Sequence, residues 1–322
     1  MFPSKENLTI CFAHAAYQMQ AQFEARKTGL KSFQVRSYDE FQKRIGEADV
    51  VCVSGMWKND LIPHAGKLKF VQSISSGMDQ YSKEQLAAKK VRLCSAAGVN
   101  ARAVAEHAIA LILAIARRLP EARDNQHKKF WRGMIGDLTA REDEIGDKTM
   151  LVVGMGRIGA HLAMLGKAFG MKVIGIRQDP AKGTNGADSI HAMGDLVKLV
   201  PQADIVALAC ALTPETTGLM SAAAFAAMKP SAMFINVARG KVADEAALIA
   251  TMKAGKIAAA GLDVTAEEPL PASSPLWEME NVFITPHTAG ETRAYEDNVI
   301  DVLIENLDRL ARGESSLRNQ VL

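Results

Sequence analysis

The sequence has only four cysteines, which lie singly in apolar stretches at Cys11, Cys52, Cys94 and Cys210. They form no CxxC pair. The sequence therefore predicts neither a disulfide framework nor a metal site. We expect four buried, reduced thiols.

An excess of one charge is also lacking, because 38 Lys and Arg residues are balanced by 36 Asp and Glu residues, and neither sign forms a long block. Proteins that bind nucleic acid or membrane surfaces usually have a basic patch. We therefore expect small molecules as partners, with no nucleic acid and no membrane.

Long apolar runs are lacking as well. The longest, Ala108 to Ala116, is about half of the ~20 residues that a membrane-spanning helix needs, so it predicts a buried helix. Lys5 and Glu6 lie where a secretory signal would have its apolar core. A cytoplasmic location is the expectation that follows.

The apolar runs that are present fall into two series, and 48% hydrophobic residues in 322 positions can bury more than one core. The first series alternates with helical patterns and predicts a small α/β unit. Its strands are expected at Leu8–Ala13, Val50–Val53, Phe70–Ile74 and Val91–Cys94. The second series predicts a doubly wound parallel sheet. Its strands are expected at Met150–Val153, Val173–Ile176, Ile205–Leu208, Met233–Val237, Ala258–Leu262 and Val282–Thr285.

Two long helical patterns flank the second series. One runs from Ala101 to Leu119 and stops at Pro120, and the other runs roughly from Glu291 to Ala311. This placement suits a hinge at which the chain leaves one domain and later returns to it. We predict an α/β protein of two Rossmann-like domains. Residues 1–99 and 291–322 would form a smaller, flavodoxin-like substrate domain, and residues 100–290 the dinucleotide-binding domain.

A glycine loop opens the second series. Gly154, Gly156 and Gly159 come directly after an apolar strand and at the start of a helix. In this context the first glycine permits a tight turn, the second lets the backbone approach a pyrophosphate, and the third allows close helix packing. The loop predicts a nicotinamide dinucleotide site; a vestigial turn or a methyltransferase loop are the alternatives.

The residue at the end of the next strand predicts which nicotinamide cofactor binds. An NAD site usually has a carboxylate there, but this strand ends in Arg177. A guanidinium can pair with the 2′-phosphate of NADP, to which Lys182 could add positive charge. NADP is therefore expected, and NAD remains the alternative if Asp179 takes the ribose while Arg177 is only a solvated strand end.

Three separate segments carry the remaining chemical signal: Arg239 in INVARGKVADEAAL, Glu268 in GLDVTAEEPL and His287 in NVFITPHTAG. Each follows a predicted strand, and ligands of open α/β sheets bind beyond the carboxyl ends of strands. In order and wording these segments resemble the D-isomer-specific 2-hydroxyacid dehydrogenase family. The resemblance covers about Ser73 to Gly290 and includes NARAVAEHAIALILAIAR, which begins at Asn100.

The resemblance implies catalytic roles for these three residues. His287 would be the general acid and base, Glu268 its carboxylate partner, and Arg239 the residue that holds the substrate carboxylate and carbonyl oxygen. Taken singly, each has another reading, as a loop histidine, a solvated turn residue and a surface or phosphate-contacting arginine.

The same resemblance implies further contacts. Asp263 would contact the nicotinamide amide, unless it is a local cap at the end of its strand. Ala209 and Ala211 stand where family members often have a histidine and a proline, near the adenine. In SISSGMDQY, backbone N–H groups would receive the substrate carboxylate, unless this is a plain turn before a helix capped by Ser82. The implied cofactor contacts are Gly154, Gly156, Arg157, Ile158, Gly159, Arg177, Thr213, Val237, Arg239, Asp263 and His287. The implied substrate contacts are Ser76, Gly77, Met78, Arg239 and His287.

Met56, Trp57 and Met78 are candidates for the pocket around the substrate side chain, with plain core packing as the alternative. Such a lining would favour a broad or bulkier substrate preference.

The function expected from these features is NADPH-dependent reduction of 2-keto acids to D-2-hydroxy acids, with glyoxylate and hydroxypyruvate as leading substrates bound between the domains. A homodimer is expected, with the apolar helix from Ala101 as a buried face. One alternative is a 3-phosphoglycerate dehydrogenase, which would need a basic anchor for the phosphate and has no room here for an added regulatory domain. The other is a dinucleotide-sensing binding protein similar to corepressors of this fold, which would need a partner groove.

Overall fold

A computed structural model describes residue 3 and residues 5–322 of the chain, and these residues divide into two compact units. Unit 1 comprises the described residues up to Asn100 together with Thr292–Leu322, and unit 2 comprises Ala101–Glu291. The functions predicted for the two domains stay predictions at this point.

Both units are built from parallel strands and the helices that connect them. The strands are β1 (Thr9–Ala13), β2 (Lys31–Val35), β3 (Val50–Val53), β4 (Phe70–Ser73), β5 (Arg92–Cys94), β6 (Thr149–Val153), β7 (Lys172–Arg177), β8 (Ser189–Ala192), β9 (Ile205–Leu208), β10 (Met233–Asn236), β11 (Ala259–Leu262) and β12 (Val282–Ile284). The helices are α1 (Met19–Ala25), α2 (Tyr38–Arg44), α3 (Lys83–Ala88), α4 (Ala101–Ala116), α5 (Leu119–His127), α6 (Arg157–Ala168), α7 (Leu196–Leu199), α8 (Ala222–Ala226), α9 (Glu245–Lys253) and α10 (Tyr295–Ala311).

Unit 1 is a parallel sheet of order β2-β1-β3-β4-β5. Its central strands are buried along their whole length because helices cover both faces of the sheet. The C-terminal helix α10 belongs to this unit, where Val299, Ile300 and Leu303 pack against a core that includes Ile10 and Phe12. The end of the chain thus completes a core that the first hundred residues begin.

Unit 2 is a parallel sheet of order β12-β11-β10-β9-β6-β7-β8. The chain runs outward from β6 to β8 on one side, then returns to β9 and runs outward to β12 on the other. The strand order therefore reverses between β6 and β9. In open α/β sheets, ligands bind at such a switch point, beyond the carboxyl ends of the strands.

All ten predicted strands are present, each within one residue of its predicted ends. The sequence did not reveal β2 and β8, and both are edge strands with largely half-exposed residues. An edge strand covered on fewer sides needs no continuous apolar run, so KSFQV and SIHA lack the signal that marks the central strands.

The helix predicted to reach Leu119 ends earlier, at Ala116, and a separate helix α5 begins at Leu119. Between them Arg118 adopts a left-handed backbone conformation, with φ of +51°. Pro120 does not stop a helix here; it lies in the first turn of α5, where the missing N–H has no intrahelical partner to lose.

The apolar face of α4 is not available to a second subunit, contrary to the expectation from the sequence. Leu111 and Ile112 of α4 lie in the core of unit 2 together with Val152 and Ile235. A group of four large exposed apolar side chains lies further along, in the segment 130–138 that follows α5. They are Phe130, Trp131, Met134 and Leu138, with Trp131 95% and Met134 103% exposed. Among residues 5–322, no helix combines the length and apolarity that crossing a bilayer requires.

Candidate active site

The glycine loop lies between β6 and α6 and is tightly packed. Gly154 has a φ of +104°, and a Cβ on this residue would lie 2.5 Å from the Cα of Cys210. A Cβ on Gly159 would lie 2.2 Å from the carbonyl oxygen of Gly154. At Gly156, by contrast, a Cβ would meet no atom within 4 Å. Gly154 and Gly159 are therefore needed for the fold of the loop, whereas Gly156 has open space where a side chain would be.

The N-terminus of α6 is suited to an anion. Four other helices, α2, α3, α8 and α9, begin after a residue whose side chain accepts from one of their first N–H groups; these residues are Ser37, Ser82, Ser221 and Asp244. Gly156, at the start of α6, has no side chain that could do so. The 12-residue helix therefore directs its first N–H groups and the positive end of its dipole toward this loop without a carboxylate or hydroxyl cap.

A cleft of about 780 Å³ opens at this end of the sheet, within the size range of ligand sites. Its wall includes the glycine loop, Arg177 at the end of β7, and Ala209, Ala211 and Thr213 after β9. These are the strands between which the order of the sheet reverses. The donor set and the size fit a dinucleotide.

Arg177 and Asp179 make different contacts at the rim of the cleft. The Nη1 of Arg177 donates to the carbonyl oxygens of Lys182 and Gly183, at 3.3 and 3.0 Å, which holds the guanidinium in the wall. The Oδ1 of Asp179 accepts from the backbone N–H of Ala181 at 3.1 Å, so this carboxylate caps a short 3-10 helix.

Cys210 departs from the predicted set of four buried thiols. It is unpaired and only partly buried, and it lines the cleft. Cys11, Cys52 and Cys94 are buried and unpaired as expected. Burial raises the pKa of the Cys210 thiol to about 11, so the thiol is neutral at neutral pH. Within the described residues, no group of three or more His, Cys, Asp or Glu side chains has the arrangement of a metal site.

Glu268 and His287 form a hydrogen-bonded pair beyond β11 and β12. The Nδ1 of His287 lies 2.6 Å from Oε2 of Glu268, and both side chains are partly exposed, at 44% and 37%. An ionised carboxylate can only accept, so Nδ1 carries the proton of this bond. Glu268 is itself held by the backbone N–H of Thr265, which donates to Oε1 at 3.2 Å. The pair leaves Nε2 of His287 as the nitrogen that can exchange a proton.

Arg239 follows β10 and is half-buried. Its Nη1 donates to the carbonyl oxygen of Ala238 at 2.8 Å, and its own carbonyl oxygen accepts from Asn236 at 3.1 Å. The next residue, Gly240, lies so close to Thr265 that a Cβ would be 1.9 Å from the Thr265 carbonyl carbon. The loops that carry Arg239 and Glu268 are therefore in direct contact.

Asp263, at the end of β11, is 2% exposed. Its carboxylate accepts from the hydroxyl of Thr285 and from the backbone N–H groups of Thr288 and Ala289. The structure thus shows Asp263 bonded within its own unit, and its contact with a nicotinamide amide stays a prediction. Val237 is also buried, at 6%, while Arg157 and Ile158 form the first turn of α6.

In unit 1, a bend at residues 74–76 follows β4, and Gly77 and Met78 come directly after it. The Oγ of Ser75 donates to the carbonyl oxygen of Gly77 at 2.9 Å and accepts from Ser54 at 2.8 Å. These hydroxyls, which sequence reasoning missed, hold the bend in shape.

The expectation that Trp57 lines a substrate pocket is wrong. Trp57 is 2% exposed and packs with Phe41 and Tyr81 in the core of unit 1, and its Nε1–H donates to Asn59. Met56 and Met78 are only partly buried against the same core. A large aromatic side chain gains most by full burial, which is why the core reading of Trp57 prevails.

Comparison with known proteins identifies the family. Residues 109–289, more than half of the chain, match the family model described as the NAD-binding domain of D-isomer-specific 2-hydroxyacid dehydrogenases. The chain belongs to this family. The family and the fold class predicted from the sequence are therefore confirmed.

Two groups of relatives within the D-2-hydroxyacid dehydrogenase family are similar to this chain. Glyoxylate/hydroxypyruvate reductase B of Escherichia fergusonii is 38% identical over 79% of this chain and 78% of the relative. D-3-phosphoglycerate dehydrogenase of Methanocaldococcus jannaschii is 33% identical over 86% of this chain but 52% of the relative. The chain thus spans about half the length of that dehydrogenase.

Solved structures agree over nearly the whole chain. A D-2-hydroxyacid dehydrogenase family protein from Aeromonas salmonicida has a TM-score of 0.85 at 29% identity, covering 98% of this chain and 99% of its own. A family member from Xanthobacter autotrophicus, solved in complex with NADPH and MES, has a TM-score of 0.81 at 29% identity and covers 98% of both chains.

Proposed function

We propose that this protein is an NADPH-dependent reductase that converts 2-keto acids to D-2-hydroxy acids. The observation that carries the proposal is the hydrogen bond between His287 and Glu268, formed at the same carboxyl edge of the unit 2 sheet as the glycine loop. A dinucleotide site and an acid-base pair on one sheet edge are the two requirements of hydride transfer to a carbonyl group. The D configuration of the product rests on family membership.

In this proposal His287, Glu268 and Arg239 have different roles. A reduced dinucleotide, held through its pyrophosphate at the glycine loop, would supply the hydride for C2 of the keto acid. His287 donates a proton from Nε2 to the carbonyl oxygen, and Glu268 holds the ring in the required tautomer through Nδ1. Arg239 pairs with the substrate carboxylate and polarises the carbonyl, since its planar fork can contact both groups.

The binding contacts are proposed accordingly. Unit 2 is the cofactor domain, in which Gly154, Gly156, Gly159, Arg157 and Ile158 present backbone to the pyrophosphate. Thr213, Val237 and Asp263 complete the cofactor contacts. In unit 1, the segment 76–78 supplies backbone N–H groups to the substrate carboxylate.

The preference for NADPH is proposed from the contrast at the rim of the cleft. Arg177 lies at the rim of the cleft and could pair with a 2′-phosphate, while the carboxylate of Asp179 is engaged as a local cap. A structural neighbour of 29% identity was solved with NADPH, which supports this choice.

Glyoxylate and hydroxypyruvate are proposed as substrates because relatives named for these activities reach 38% identity with coverage of most of both chains. Phosphohydroxypyruvate is the competing substrate, given the phosphoglycerate dehydrogenases at 33% and 34% identity.

A panel of keto acids assayed with both cofactors tests the proposal. We expect turnover of glyoxylate or hydroxypyruvate, with kcat/KM for NADPH at least about tenfold above that for NADH, which corresponds to ~1.4 kcal/mol. Faster oxidation of NADH with every substrate would contradict the cofactor assignment. A preference for phosphohydroxypyruvate would contradict the substrate assignment. Cofactor binding without any turnover would favour a dinucleotide-sensing binding protein.

We also propose a homodimer, in which the exposed segment 130–138 packs against a second copy. A contiguous group of fully exposed Trp and Met side chains is unusual for a surface that stays in water. Light scattering should give twice the chain mass of 34.7 kDa, and Trp131→Asp should shift the protein toward the monomer. A monomeric wild-type protein would contradict this.

A further inference from the structure

A chain of hydrogen-bonded side chains connects α4 to the loop that carries His287. The Nε2 of His107, on α4, lies 2.9 Å from the Oγ1 of Thr285. The hydroxyl of Thr285 in turn donates to Oδ1 of Asp263 at 2.7 Å. These three side chains are separated by up to 178 positions in the sequence, so no local motif marks them as a group.

The direction of each bond in this chain is determined by its chemistry. Thr285 has one hydroxyl proton, which it donates in the hydrogen bond to the carboxylate of Asp263, because an ionised carboxylate can only accept. The Oγ1 of Thr285 must therefore accept from His107, which places a proton on Nε2 of that ring. Nε2 also lies 3.5 Å from Oδ1 of Asp263. Among the ion pairs of residues 5–322, the basic side chain beside the buried carboxylate of Asp263 is therefore that of His107.

Asp263 holds the backbone on both sides of His287. Its carbonyl oxygen accepts from the N–H of His287 at 2.8 Å. Its carboxylate accepts from the N–H groups of Thr288 at 2.9 Å and Ala289 at 3.1 Å. The position of one carboxylate therefore determines the course of the chain through His287.

The backbone of His287 needs such support. Its φ is +55°, a left-handed conformation that is uncommon for residues other than glycine. Backbone conformations of this kind persist where several surrounding contacts hold them, often at functional sites. The hydrogen bonds that these backbone N–H groups donate to Asp263 supply that constraint, and they keep the ring of His287 in place to bond Glu268.

We propose that His107 is a positioning residue for the acid-base pair. Through Thr285 it holds the carboxylate of Asp263, which in turn holds the left-handed backbone at His287. The effect on turnover rests on the proposed function; the effect on the loop does not.

Hydrogen exchange of the full-length protein tests the effect on the loop. In His107→Phe, which keeps a ring but loses the donor, the amides of Thr288 and Ala289 should exchange at least tenfold faster. In His107→Gln, whose amide nitrogen can replace Nε2, they should exchange as in the wild type. The exposed His64 of unit 1 provides the matched control, and His64→Phe should change neither amide. Wild-type protection in His107→Phe, or a uniform rise in exchange across unit 2, would overturn the proposal.

Thr285→Val breaks the same chain without changing the size of the side chain, so it replaces His107→Phe if that variant does not fold. It should release the same two amides, and unchanged protection would overturn the proposal.

Steady-state kinetics test the effect on turnover. In His107→Phe, kcat should fall at least tenfold, and His107→Gln should restore kcat. If the wild type is active and kcat is unchanged in His107→Phe, the positioning role is overturned. A wild type that turns over no keto acid overturns the proposed function instead, and hydrogen exchange then still decides whether His107 holds the loop.

Discussion

The two units have the same parallel α/β architecture, but the turns that follow their first strands differ. After β6, the glycine loop leads into α6 without a side-chain cap. After β1, the Nδ1 of His14 accepts from the backbone N–H groups of Ala16 and Tyr17, and its ring stacks on Tyr17 with centroids 3.9 Å apart. The N–H of Gln18, at the start of α1, donates to Glu296 of α10.

Unit 1 thus satisfies the N–H donors of this turn with its own imidazole and carboxylate, whereas the corresponding N–H groups of unit 2 are those proposed to bind the cofactor. The sheet and the order of elements are not sufficient for a dinucleotide site, because the same fold hosts both arrangements. A few residues in one loop decide which unit can bind the cofactor. The following predictions test how far function is concentrated in unit 2.

The largest effect is expected at His287. His287→Asn removes the proposed proton donor, so kcat should fall by about 10² to 10⁴, the usual contribution of general acid catalysis. Binding of NADPH, measured by fluorescence titration, should stay within about twofold, because the glycine loop is untouched. His64→Asn, on the surface of unit 1, is the control. Unchanged turnover in His287→Asn would remove this residue as the acid.

Gly156→Ala should weaken cofactor binding by about tenfold to a hundredfold, or ~1.4 to 2.7 kcal/mol. The added Cβ meets no protein atom within 4 Å, so thermal unfolding should be unchanged while the methyl group occupies the space proposed for the pyrophosphate. Gly159→Ala should instead lower the unfolding temperature, because its Cβ would lie 2.2 Å from the Gly154 oxygen. Gly66→Ala, in an open position of unit 1, should do neither. Unaltered binding in Gly156→Ala would place the phosphates elsewhere.

Arg177→Gln should reduce kcat/KM for NADPH by about tenfold or more, since hydrogen bonds to charged groups contribute ~1.5 to 3 kcal/mol. The value for NADH should change little, because NAD lacks the 2′-phosphate. Lys172→Gln, at the exposed start of the same strand, serves as the matched loss of a positive charge. An equal loss with both cofactors would show that Arg177 acts on the stability of the loop and not on the 2′-phosphate.

The smallest effect is expected in unit 1. Ser75→Ala removes the hydroxyl that bonds the Gly77 carbonyl, and a neutral hydrogen bond contributes ~1 kcal/mol. KM for the keto acid should rise about threefold to tenfold with little change in kcat. Ser32→Ala, in strand β2, should leave both constants unchanged. A fall in kcat comparable to that of His287→Asn would mean that unit 1 takes part in the chemistry.

Local patterns carried much of the fold and of the candidate site. The apolar runs of β6 and β9 and the spacing of the three glycines are readable from a few neighbouring positions, because strand burial and tight turns each impose a local rule. Arg239, Glu268 and His287 could be singled out because each directly follows such a run. The edge strands β2 and β8 could not, since partial exposure leaves no continuous apolar signal.

The sequence by itself determined the family, the parallel sheets and the residues at the strand ends. Only the tertiary structure decided that Trp57 is a core residue, that a group of exposed apolar side chains lies at 130–138 while the apolar face of α4 is buried, and that His107 reaches Asp263 through Thr285. The reason is physical: periodicity and turn chemistry act over a few residues, whereas burial and hydrogen bonding join residues that the fold brings together from distant parts of the chain.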